Sequence, residues 1–176
     1  MLHRRLAEDT ALAFELPLCS VLLMNDATVP WLILVPRRLG VREIHELERA
    51  DRMILMEELA FASKVSCALY SPDKLNIGAL GNIVDQLHIH VVSRFRADRA
   101  WPGPVWGANG ARAYDGEGLA AEAARVRKAF EDGLNGVQSA ADAGFTVVFV
   151  GDQRFGIAPP PQARLVIASF TDFAPL

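Results

Sequence analysis

Gln86-Leu87-His88-Ile89-His90-Val91-Val92 is the stretch on which the fold and chemistry of this chain turn. Side chains alternate along a β-strand. A strand over residues 83–92 therefore puts Gln86, His88 and His90 on one face and turns Leu87, Ile89 and Val91 toward a core. Neighbours on one face of a strand are roughly 6.6 Å apart. That spacing sets two imidazoles and a carboxamide along a phosphate chain or around a reacting centre. The bland alternative is a half-exposed strand that merely tolerates histidine. Against it, the chain has only four histidines, and two share this face beside a turn containing Gly78 and Gly81.

On the N-terminal side, residues 18–25 read as a mostly apolar strand ending in Asn25-Asp26. Residues 31–35 read as a second strand between Pro30 and Pro36, the two forming a hairpin. Residues 3–14 are expected to form a short helix carrying Leu6, Leu12 and Phe14 to the core. From residue 43 to 64 the apolar positions Ile44, Leu47, Met53, Ile54, Met56 and Leu59 fall at helical spacing. That predicts one long helix, extendable through 65–69 and stopped by Ser71-Pro72-Asp73. Residues 75–79 are a short strand candidate.

Beyond the histidines, residues 101–107 are too rich in Pro and Gly for regular structure and read as a loop packed down by Trp101 and Trp106. Residues 118–133 read as a helix, 134–144 as a loop, and 145–150 and 165–168 as strands. The expected organisation is a catalytic domain over 1–107 and a C-terminal extension over 108–176, packed on the core or on a dimer.

The composition narrows the function. There are 18 Lys and Arg against 21 Asp and Glu, a formal charge of -3, which gives no basic face for nucleic acid. Cys19 and Cys67 are too few for a disulfide scaffold and read as buried thiols. No apolar run approaches a membrane span, and the N-terminus does not read as a signal peptide. The cytoplasm is the expected location. The phosphate-binding loop, the dinucleotide fingerprint and the Gly-x-Ser-x-Gly elbow are absent from the sequence. A His-x-His strand could supply two zinc ligands, but a third is wanting. His3 and His45 sit in polar segments, and Asp85 would face the other way. No protein-held metal and no tightly bound cofactor are expected.

The segments Asn76-Ile77-Gly78 and Gly81-Asn82-Ile83-Val84-Asp85-Gln86-Leu87-His88-Ile89-His90-Val91-Val92-Ser93-Arg94 resemble the signature of the histidine triad (HIT) family. Pro36-Arg37-Arg38 resembles its "viPkrH" element, residues 19–35 its first hairpin and residues 43–64 its long helix. The resemblance covers roughly residues 15–107. Three positions depart from it. Gln86 stands for the first triad histidine, giving a Gln-x-His-x-His variant. Leu39 stands for the histidine after "viPkr", and Ser93 for the proline before the arginine.

The resemblance implies an α+β fold: an antiparallel sheet of about five strands with the long helix packed on it. It also implies a homodimer and nucleotide chemistry, either hydrolase or transferase, on dinucleoside polyphosphates or nucleoside phosphoramidates, with a purine nucleotide the expected partner. His88 would be the nucleophile that forms a covalent nucleotidyl-histidine, with His90 and Gln86 as its catalytic neighbours. A neutral imidazole suits that task if a backbone carbonyl holds its other nitrogen as donor. Backbone donors over Gly81, Asn82 and Ile83 would orient phosphate oxygens. Asn76 and Asn82 match polar site positions. Leu22, Trp31 and Leu32 fall where the base or ribose is lined, and Trp101 and Trp106 could close the pocket. Arg94 and Arg96 are phosphate contacts or a solvated strand end, and Asp98 an arginine's partner. A divalent cation could accompany the substrate phosphates. The rival from another class is a nucleotide-binding or interaction protein with little or no turnover.

Overall fold

A computed structural model describes residues 1–142, with side chains described through residue 135. One compact unit spans Met1–Phe130. It contains α1 (Arg4–Asp9), β1 (Thr10–Glu15), β2 (Cys19–Met24), β3 (Trp31–Pro36), α2 (Arg49–Tyr70), β4 (Lys74–Gly78), β5 (Ile89–Arg94) and the start of α3 (Gly118–Asp142). The strands form one five-stranded sheet in the order β1-β2-β3-β5-β4, every neighbouring pair antiparallel. The fold is α+β, with the long helix packed on the sheet.

Alternation along the strands sorts the core into two layers. Val21, Leu23, Leu32, Leu34, Ile89 and Val91 meet Leu55, Leu59, Ala62 and Val65 of α2. The helix positions are spaced four, three and three apart, so they fall on one stripe. Each of the leucine, isoleucine and valine side chains stabilises the fold by roughly 1.5–3 kcal/mol relative to exposure. Phe130 of α3 joins this layer, stacked on Phe14 at 5.3 Å and edge-on to Phe61 at 5.4 Å. Leu22, Trp31, Ile33, Val35 and Val92 form the other layer, covered by Leu6, Val84 and Val105. The carboxylate of Glu58 ties α2 to the start of β2, accepting from the Leu18 and Cys19 N–H groups at 2.6 and 2.9 Å. Burial, then Glu58 itself, pushes the Cys19 thiol up. Cys67 is exposed, so only one of the two thiols is buried as expected.

Several local expectations are corrected. Residues 3–14 are a six-residue helix followed by an edge strand. Pairing of β1 with β2 outweighs the helix preference of its alanines and leucine. A register shift between Leu12 and Phe14 leaves Leu12 exposed, while Phe14 reaches Phe130. The helical stretch over 43–64 breaks: Ile44–Glu46 is a 3₁₀ turn, and Leu47 and Glu48 are extended before α2 begins. The reciprocal bonds between Glu43 and Glu46 close that turn early. At the far end α2 runs to Tyr70. Ser71 ends it in the left-handed region at φ 49°, its N–H bonded to the Cys67 carbonyl, and Pro72 cannot continue it. Residues 134–142 continue α3, where a loop was expected. The strands expected over 145–150 and 165–168 lie outside the described residues.

The strand expected over 83–92 begins only at Ile89. The Leu87 N–H donates to the Val41 carbonyl at 3.0 Å, which draws the chain away from sheet pairing while the Leu87 side chain stays in the core. β5 then runs on through Ser93, whose N–H donates to the Pro30 carbonyl at 2.9 Å. A proline there would lack that donor. The Ser93 hydroxyl is buried without a hydrogen-bond partner. Ser93→Ala should therefore leave stability unchanged or raise it by up to about 1 kcal/mol. A clear loss in a urea unfolding titration would show that the hydroxyl does find a partner. No helix among the described residues is long and apolar enough to cross a membrane.

Candidate functional site

His88 lies immediately before β5, and His90 is its second residue. Both are buried, and their ring centroids are 4.9 Å apart at 80°. On the neighbouring strands His90 faces Ile33 and Gly78. Gly78 has no side chain to compete for the space next to His90. A Cβ there would stand 3.4 Å from the Trp106 ring, and Trp106 lies 5.9 Å from His90. Trp31 packs edge-on to both, at 5.4 Å from His90 and 6.1 Å from Trp106.

Two hydrogen bonds set the rings in opposite tautomers. The Nδ1 of His88 is 2.7 Å from the Gln86 carbonyl oxygen. A carbonyl only accepts, so in the neutral ring Nδ1 carries the hydrogen and Nε2 keeps its lone pair. The Trp31 indole N–H donates to the Nδ1 of His90 at 2.9 Å. That N–H only donates, so the neutral His90 ring carries its hydrogen on Nε2. Side by side stand an imidazole with a free lone pair and an imidazole with a free N–H.

Burial, reinforced by the nearby His88, pulls the His90 pKa from 6.5 to about 4. The ring is neutral at physiological pH. In the unfolded chain it takes a proton below about pH 6.5, and in the folded chain only near 4. Its contribution to stability is thus complete above pH 6.5 and shrinks as the pH falls toward 4. The loss should approach about 3 kcal/mol. Unfolding titrations of the wild type and His90→Gln from pH 7.5 to 4 measure it as the difference in slope. Equal slopes would show that His90 protonates as readily folded as unfolded.

The remaining expected site residues are placed unequally. The Gln86 side chain leaves the histidine face: its Oε1 accepts from the His3 N–H at 2.7 Å. The regular strand that would have put Gln86 beside the histidines is not formed there, for the reason given above. Asn76, on β4, accepts from Arg94 through its Oδ1 at 2.6 Å. Gly81, Asn82 and Ile83 lie in the loop between β4 and β5. Gly81 takes φ 71°, a left-handed turn that glycine adopts without strain, and Ile83 is highly exposed. Trp31 is at the centre of the site, bonded to His90; Leu22 shares its apolar layer, whereas Leu32 faces α2. Trp101 lies partly exposed beside the Arg94 guanidinium at 5.9 Å, and it is Trp106 that reaches His90. Leu39 is almost fully exposed. Asp85 pairs with Arg42 at 3.1 Å.

Arg94 is neither a phosphate contact nor solvated. It is buried and bonded to both oxygens of Asp98, to Asn76 and to the Gly103 carbonyl. Its guanidinium holds the Asp98 carboxyl well below the usual carboxylate range. Arg96 is exposed, with Asp73 at 3.6 Å. Arg99, missed in the sequence, straps the following loop to the β2–β3 turn. It donates to Asp26 at 2.6 Å, Thr28 at 2.8 Å and the Ala108 carbonyl at 3.0 Å. These two arginines hold the loop that carries Trp106. Their spacing in sequence, Arg94-x-x-x-Asp98-Arg99, was the available signal for a pinned loop.

Residues 5–97 match the HIT domain. Among solved structures, a histidine triad protein from Marinobacter aquaeolei VT8 is 46% identical, with a TM-score of 0.71. The match covers 75% of this chain and 96% of that one. A histidine triad protein from Bradyrhizobium japonicum is 43% identical, with a TM-score of 0.69 and the same coverage of 75% and 96%. One from Sinorhizobium meliloti 1021 is 42% identical, with a TM-score of 0.70, covering 73% and 95%. No curated protein matches the chain. With the two histidines at the start of β5 in the expected sheet, and with the match spanning more than half its length, the chain belongs to the histidine triad (HIT) family.

Proposed function

We propose that this protein transfers a nucleotidyl group from a dinucleoside polyphosphate or a nucleoside phosphoramidate to water or another acceptor, through a covalent intermediate on His88. The carrying observation is the pair of opposite tautomers. In the first step the His88 Nε2 lone pair forms a bond to the α-phosphorus, and the bond from phosphorus to the leaving group breaks, its electron pair departing with that group, which takes a proton from solvent when it leaves as an amine. The His90 Nε2–H donates to a phosphate oxygen as charge develops there. In the second step water attacks the phosphorus, the phosphorus–nitrogen bond breaks, and His88 regains its lone pair. The water proton passes to solvent.

Catalysis of this kind rests on positioning and on fixed donors. Trp31 supplies the positioning for His90, and the Gln86 carbonyl for His88. In this reading the nucleoside would lie on the Trp31 and Trp106 side, and the phosphates at the turn over Gly81, Asn82 and Ile83. A divalent cation would arrive with the phosphates. We place the activity in the cytoplasm and in a homodimer, with a purine nucleotide as substrate.

Incubation with a fluorogenic adenosine phosphoramidate and, separately, with diadenosine polyphosphates tests the proposal. Release of adenosine monophosphate from at least one is expected. Tight binding without release from either would favour the rival reading of a nucleotide-binding protein with little turnover. The direction of the Gln86 side chain, away from the histidines, is the observation on that rival's side.

A further inference from the structure

The Gln86 carboxamide grips the beginning of the chain at two points. Its Oε1 accepts from the His3 N–H at 2.7 Å, and its Nε2 donates to the Met1 carbonyl at a longer 3.4 Å. Those two backbone groups flank Leu2. A planar side chain that meets both must carry a donor and an acceptor side by side. A carboxamide does, a carboxylate lacks the donor, and an imidazole holds its two nitrogens on opposite edges of the ring. Leu2, held between them, packs against the apolar layer that contains Trp31, Val84 and Trp106.

The backbone of the same residue does something else. The Gln86 carbonyl is the acceptor that fixes the His88 tautomer. It lies in a stretch outside the sheet, so no strand ladder holds that peptide in place. One anchor is the N–H of that same peptide, Leu87, which donates to the Val41 carbonyl at 3.0 Å. The Gln86 side chain, locked to residues 1–3, is the other. Residue 86 therefore joins the N-terminal segment to the nucleophile's ring through its own two ends.

We infer that Gln86 is a positioning residue for His88. Its side chain clamps residues 1–3 and so holds its carbonyl where it keeps the His88 Nε2 lone pair free. This rests on the assignment of His88 as nucleophile. It gives Gln86 a role that needs no contact with substrate.

Gln86→Ala removes the clamp and keeps the carbonyl. Three measurements on the full chain decide the matter: amide exchange at His3, the ¹⁵N shifts of the His88 ring, and steady-state kinetics on an adenosine phosphoramidate. Exchange at His3 should quicken about tenfold, the loss of roughly one hydrogen bond. The His88 nitrogens should move from the Nδ1–H pattern toward a mixture of tautomers. The kcat should fall several-fold with KM little changed. Leu2→Gly, which loosens the same clamp from its other side, should shift the His88 nitrogens in the same direction. Gln86→His should behave like Gln86→Ala, whereas a residue acting on the substrate directly would be served by a histidine. If Gln86→Ala does not fold, Gln86→Glu retains the acceptor for His3 and should keep that amide protected.

Unchanged exchange at His3 in Gln86→Ala, or in the other direction loss of protection in Gln86→Glu, overturns the clamp. A released clamp with unmoved His88 nitrogens overturns the positioning role. A wild type that turns over no nucleotide defeats the proposed function alone, because exchange and nitrogen shifts still decide what Gln86 does.

Discussion

His88→Ala is expected to lower release of nucleoside monophosphate by on the order of 10³-fold or more. The size follows from what is removed. Of the two rings, the one that keeps an uncommitted lone pair in its neutral form is His88, at Nε2, because its Nδ1 hydrogen is committed to the Gln86 carbonyl. His90 cannot take over. Its Nδ1 lone pair is occupied by the Trp31 indole, and its free nitrogen carries hydrogen. With alanine at 88, transfer would have to occur by direct attack of water on the substrate, without the covalent step. His88→Asn gives a second variant of closer size. Brief mixing of the wild type with substrate, followed by intact-mass measurement, should show one added nucleotidyl group, absent from both variants. Activity that survives either substitution would sink the mechanism while leaving the family untouched.

Asp98→Ala should cost roughly 3–5 kcal/mol of folding stability. Asp98 and Arg94 are almost fully buried against each other, with side chains 1% and 2% exposed. Removing the carboxylate leaves a guanidinium in the interior that can keep only Asn76 and the Gly103 carbonyl. It also strands the N–H groups of Phe95 and Ala100, which Asp98 accepts at 3.0 and 2.9 Å. Urea unfolding of Asp98→Ala measures the loss. The double variant Arg94→Met with Asp98→Ala should be less destabilised than Asp98→Ala alone, because no charge remains buried. Additive costs in the double variant would mean that the pair is solvated in solution. The loop that this pair pins carries Trp106 to His90, so activity should fall together with stability.

Much of the architecture was legible without a structure. The hairpin, the long helix and the β4 strand follow from apolar period and from prolines and glycines at their ends. The inward set Leu87, Ile89 and Val91 was read correctly, since all three are in the α2 layer. The β1 strand was not legible. Its few residues carry both helix-forming and strand-forming types, and only a partner strand decides between them. Asp98 was read as an arginine's partner, and the fold shows that the arginine is Arg94, which the sequence left between a phosphate contact and a solvated strand end. A lone arginine after a strand looks solvated until a carboxylate four residues on is folded over it.

Sequence by itself determined that two histidines, two residues apart, stand at a sheet built around an apolar strand. It also determined that the long helix covers one side of that sheet. Local periodicity carries this information, because burial repeats with the period of the backbone. Only the tertiary structure decided what each ring nitrogen holds. The indole of Trp31 reaches from β3 to His90 on β5, and a carbonyl two residues upstream reaches His88. The direction of Gln86 was decided in the same way, by the meeting of residues 83 positions apart in the chain. Hydrogen bonds between distant side chains leave no period in the sequence. They exist only once the strands are in register, and they give His88 and His90 their opposite tautomers.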